Sequence, residues 1–169
     1  MITFNDFKER RKARKEEWKA YVQRVRECAG KLISIYIDSL QLPNETWKDS
    51  AGKDCPYVFI QDLDPRTGDG NHAKPEELTV DPSSGARFVL FTITDDDPNK
   101  PKYESTRISI SLSGDALEVS IESLNTFSPI DSDEKYSEVC EFIKESILES
   151  IGGNAFGKKQ FAESVNLWD

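Results

Sequence analysis

The sequence predicts a single α+β domain, with an antiparallel sheet of about four strands packed by a long N-terminal helix and a C-terminal amphipathic helix. Three observations lead there. Apolar residues recur three and four apart near both ends of the chain, which is the helical period. Two adjacent segments in the middle alternate apolar and polar, which is the strand period. A length of 169 residues, 37% hydrophobic and 31% charged, suits one domain with a packed interior rather than a disordered chain.

The N-terminal helical segment covers residues 1–41. Thr3 or Asn5 can cap it, and Phe4, Phe7, Trp18, Tyr21, Val22, Val25, Cys28, Ala29, Leu32, Ile35 and Tyr36 follow the helical spacing. Gly30 is a possible break, so the segment reads as one helix or two, and Pro43-Asn44 ends it. Residues 43–56 read as a loop. The sheet occupies 56–124. It opens with a short strand in "CPYVFIQDL", followed by a long loop at 64–85 full of Gly, Pro, Asp and Asn.

"ARFVLFTIT" (86–94) is apolar on both faces and predicts a central strand. The stretch "DDDPNKPK" turns the chain. "RISISLS" (107–113) and "ALEVSIES" (116–123) form a hairpin about Gly114-Asp115, with Ile108, Ile110 and Leu112 sharing a face with Leu117, Val119 and Ile121. The C-terminal helix spans 132–151. Asp131 with Glu134 resembles a capping box, Tyr136, Val139, Cys140, Ile143, Ile147 and Ile151 line one face, and Gly152-Gly153 stops it. The tail, 154–169, carries Phe156, Phe161, Val165 and Trp168, which suit docking on the body or on a partner.

Charge is unevenly placed. Residues 1–31 hold ten Lys/Arg and five Asp/Glu, while the remainder holds twelve and twenty-six. The densest positive run is "KERRKARKEEW" (8–18). There the apolar stripe fails, because Arg11 and Arg14 occupy the positions that should continue it. Lys8/Lys12, Arg10/Arg14 and Arg11/Lys15 are like-charge pairs costing roughly 0.2–0.5 kcal/mol each. Cations near the helix start also oppose its dipole. Such a helix is helped by an anion. The first candidate is the acidic body of the same molecule; the next is an acidic surface on another copy or another protein, and then nucleic acid, which the acidic remainder would repel.

His72 is the single histidine, and a Cys55–His72–Asp arrangement is conceivable. "DLDPRTGDG" (62–70) departs from a calcium loop at its fifth, sixth and twelfth positions, Arg66, Thr67 and Ala73. Asp62/Asp64 and Asp95–Asp97 are the acidic loop positions that a small metal-dependent enzyme would use. Cys28, Cys55 and Cys140 lack ligand spacing, which suits a cytoplasmic protein, and Cys28 and Cys140 fall on apolar helix positions as core thiols do. No stretch approaches the ~20 apolar residues of a membrane span.

The expected function is therefore a non-catalytic acidic module binding a basic partner protein: an immunity protein, an antitoxin-like inhibitor or an export chaperone. No cofactor or metal is expected. Arg10, Arg11, Arg14, Lys15, Asp95, Asp96, Asp97 and Trp168 are the candidate partner-binding residues. Nucleic-acid binding through the basic helix, and a small enzyme built on the acidic loops, are the alternatives.

Overall fold

A strand apolar on both faces belongs in the middle of a sheet, and 86–94 lies there. In the computed structural model, which describes residues 1–153, nine strands and two long helices follow one another. Helix α1 is Phe4–Ser39. Strands β1 (Thr46–Lys48) and β2 (Asp54–Pro56) pair as a small separate ribbon. Strands β3 (Val58–Leu63), β4 (Gly70–Ala73), β5 (Val80–Asp81), β6 (Gly85–Asp95), β7 (Lys102–Ser113), β8 (Ala116–Ile121) and β9 (Asn125–Phe127) make a seven-stranded antiparallel sheet. Its order is β4-β3-β6-β7-β8-β9, with β5 also on β6. Helix α2, Asp133–Gly152, closes the described chain.

Strand register sorts the side chains. Ala86, Phe88 and Leu90 of β6 stand opposite Ile110, Ile108 and Thr106 of β7, while Ile110 and Ile108 stand opposite Val119 and Ile121 of β8. Val58 and Ile60 of β3 continue the same inner face. α1 covers it with Val25, Cys28, Ala29, Leu32 and Tyr36, and α2 with Tyr136, Val139, Cys140, Ile143 and Ile147. The Tyr36 hydroxyl shares a buried 2.9 Å hydrogen bond with the Thr92 hydroxyl. The helices run in the same direction: Cys28 meets Tyr136, and the Cys140 thiol donates to the Leu32 carbonyl at 3.8 Å. The other sheet face carries a ladder of rings. Phe59 stacks on Phe91 at 4.8 Å, Phe91 meets Tyr103 at 5.7 Å, and His72 lies on Phe59 at 5.2 Å. The ladder explains why β6 is apolar on both sides.

The α+β class and the hairpin about Gly114-Asp115 hold, the latter with Leu112 opposite Leu117 as read from the alternation. Several expectations need correction. The sheet has seven strands where about four were expected. The loop at 64–85 contains β4, β5 and a one-turn 3-10 helix, Pro75–Glu77. The loop at 43–56 contains the β1–β2 ribbon. These short strands have turn-rich sequences with no alternation to detect; neighbouring strands supply their hydrogen bonds. Helix α2 is capped by Ser132, whose hydroxyl accepts from the Lys135 amide, rather than by Asp131. α1 is one unbroken helix starting from a Thr3–Asp6 capping box. The tail lies outside the described residues. Among the described residues no helix is long and apolar enough to cross a membrane.

Two glycines test the packing. Gly85 has φ +69°, and a Cβ there would sit 2.0 Å from the Ile110 carbonyl oxygen on β7. Gly30 lies inside α1, where an added Cβ would meet Pro75 Cβ at an ordinary 3.7 Å. Gly85→Ala is expected to destabilise by about 2–3 kcal/mol or more, from left-handed strain and the clash. Gly30→Ala should stabilise by up to about 1 kcal/mol through helix propensity. Urea unfolding of both variants checks this pair of opposite signs.

Candidate protein-binding surface

Only the second half of α1 is seated on the sheet. Residues 4–20 are exposed throughout and form an arm of about 25 Å at 1.5 Å per residue. The buried stripe continues along it as Phe4, Phe7, Arg11, Arg14 and Trp18, with Trp18 stacked at 5.3 Å on Tyr21 where the arm joins the body. Lys8, Lys12, Lys15 and Lys19 form a separate ridge, spaced four, three and four, within about 60° of one another around the axis.

The acidic body does not neutralise this run. Among the described residues Arg10, Arg11, Arg14 and Lys15 form no ion pair, and Lys19 pairs only with its exposed neighbour Glu16 at 3.3 Å. The reason is geometric. The first turn of α2 meets α1 at Cys28, through Tyr136, and at Lys31, through Asp133. Lys15 is thirteen residues before Cys28, about 20 Å away along the helix.

The exposed side of α2 carries Glu134, Glu138, Glu141, Glu145 and Glu149. The first four repeat the four, three, four spacing of the lysine ridge. Lys135 pairs with Glu138 at 3.0 Å, and Lys144 pairs with Glu141. Even so, α2 holds six acidic residues against two lysines, so a negative ridge faces outward. The equal spacing is legible in the sequence, where the two charged faces repeat one pattern, but it forms no chemistry motif. The aromatic ladder has no comparable signal, because its members come from four strands.

The remaining candidate residues serve the turns. Asp96 accepts from the Tyr57 hydroxyl at 2.6 Å, Asp95 lies 3.7 Å from Lys102, and Asp97 accepts from the Asn99 amide at 2.9 Å. Asp62 accepts from the Thr79 hydroxyl at 2.6 Å. Asp64 accepts from the Arg66 and Thr67 amides, which hold its carboxyl below the usual range. Asp62 stands opposite Phe88. Asp95 is seven residues further along β6, a distance of about 23 Å, so the two acidic loops do not share a site. Nor do Cys55 and His72. Cys55 is buried with its thiol near the Lys53 carbonyl at 3.6 Å, while His72 is exposed on β4, opposite Gln61. No group of three metal-ligating side chains occurs among the described residues. Trp168 lies outside them. An open groove of about 620 Å³ runs between Trp18, Val22 and Arg26 on α1 and Pro75 on the 3-10 turn.

Burial raises all three thiols, Cys140 to about 11. Thiolate is the reactive form. The folded protein is therefore expected to react with a disulfide reagent at neutral pH at least about tenfold more slowly than the urea-unfolded chain, followed by thiol absorbance. Comparison with family models, curated proteins and solved structures finds no match.

Proposed function

We propose that this chain is a non-catalytic protein-binding module that captures a basic helical segment of a partner along the acidic ridge of α2. One observation carries the reading: Glu134, Glu138, Glu141 and Glu145 stand exposed in one line at helical spacing. A line of that kind meets cations on a facing helix at every turn. Each exposed pair contributes at most about 1 kcal/mol, so the gain is in steering and orientation as much as in affinity. This is the chemistry of a module that neutralises or escorts a basic protein, as an immunity protein, an antitoxin-like inhibitor or an export chaperone does. Three buried free thiols suit a reducing, cytoplasmic setting.

The arm supports a second reading. Arg10, Arg11, Arg14 and Lys15 are free of carboxylate partners among the described residues, so they are available to phosphates.

The test of the first reading is titration with a helical peptide whose lysines are spaced four, three and four. The quadruple variant Glu134→Gln, Glu138→Gln, Glu141→Gln, Glu145→Gln is expected to bind about tenfold or more weakly than the wild type, whose own affinity should fall with salt. Equal affinity of the two proteins overturns the reading. For the second, a gel shift on nucleic acid at low salt must be present in the wild type and lost when the four arm cations become Glu. A wild type that shifts nothing disposes of it.

A further inference from the structure

We infer that the basic helix captured by the α2 ridge is the arm of a second copy of this chain, and that two copies exchange arms reciprocally. This rests on the ridge being a capture surface and names its occupant. The arm and ridge have opposite charge in similar measure. Residues 8–19 hold seven Lys/Arg against three Glu, and α2 holds six Asp/Glu against two Lys. They also share one spacing. Because four, three, four reads the same in both directions, an antiparallel arm aligns Lys8 with Glu145, Lys12 with Glu141, Lys15 with Glu138 and Lys19 with Glu134.

A second match, independent of charge, selects that direction. Phe4 and Phe7 on the arm are 74% and 58% exposed, and Leu148 and Ile151 on α2 are 68% and 56% exposed. Each apolar pair sits roughly 80° to the same side of its charged ridge. Facing antiparallel helices bring equal angular offsets to one side, and parallel helices bring them to opposite sides. In the register above, Phe4 falls level with Glu149 and Phe7 with Ser146, beside Leu148. The arm tip then covers the apolar end of α2 while the ridges pair.

The contact cannot form within one chain. α1 and α2 run in the same direction, and the arm projects beyond the first turn of α2. The same parallelism makes the exchange symmetric. An arm antiparallel to the other copy's α2 is antiparallel to its α1 as well, which is the relation a twofold axis imposes, so reciprocal exchange closes the assembly at two.

The experiment is sedimentation equilibrium of the full chain at tens of micromolar, in low salt and in about 1 M salt, where the Debye length falls to ~3 Å. A dimer at low salt that loosens at high salt is expected. Three variants should be monomeric at low salt with unchanged circular dichroism: Phe4→Ser with Phe7→Ser; the four ridge glutamates changed to Lys; and the four arm lysines changed to Glu. A one-to-one mixture of the two charge variants should restore the dimer mass, because each arm then meets a ridge of opposite sign. A monomeric wild type, or charge variants that still dimerise alone, overturns the inference. If the wild type is monomeric yet binds the lysine-spaced peptide through the ridge, arm exchange falls while the capture surface stands; loss of peptide binding as well brings down both.

Discussion

The seating of the second half of α1 on the inner face of the sheet is the contact from which the rest of the molecule follows. Val25, Cys28, Ala29, Leu32 and Tyr36 are all within 2% of complete burial. Burying a side chain the size of Val or Leu contributes roughly 1.5–3 kcal/mol. The repulsions in the arm are each several-fold smaller. Once the seated half has nucleated, extending a helix requires only one residue to be ordered per new hydrogen bond. α1 can therefore continue through seventeen exposed residues of unfavourable charge. Burial near the point where Tyr36 meets Thr92 keeps the phenol neutral and hydrogen-bonded, fixing the depth at which the helix sits.

That anchoring determines the electrostatic layout. α2 packs beside α1 in the same direction, and Lys31 beside Asp133 marks where its first turn begins. Residues 4–20, exposed throughout and lying before that level, are the arm. Negative residues at the start of α2 suit its dipole, whereas positive residues near the start of α1 oppose the dipole of that helix. The molecule thus separates its charges along parallel helices instead of neutralising them internally. Two oppositely charged ridges of the same spacing are held apart by the same packing that forms the core.

The sheet shows which parts of a fold local patterns report. The strict alternation of Ile108, Ile110 and Leu112 against Leu117, Val119 and Ile121 was enough to place β7 and β8 in register, because a slip of one residue would turn the apolar face to water. Phe88, Leu90 and Val89, Phe91 marked β6 as buried on both sides. By contrast, β4, β5 and β9 are four, two and three residues long. Segments so short have no period to read. They are strands because an edge already built by β3, β6 or β8 offers unpaired amides and carbonyls.

The amino-acid sequence alone determined the α+β class, both long helices, the central strand, the hairpin and the uneven charge, since each is written in a local period or a simple count. Tertiary structure decided where the charge goes. Sequence favoured an arm neutralised by its own body, because proximity in composition resembles proximity in space. The parallel packing of α1 and α2 instead places the basic run about 20 Å from the nearest turn of α2. It likewise separated Asp62 from Asp95, and Cys55 from His72, and assembled the rings of Phe59, Phe91, Tyr103 and His72 into one ladder. Distances of that kind depend on which strands pair and which helix face is buried, and no window of the sequence contains both partners.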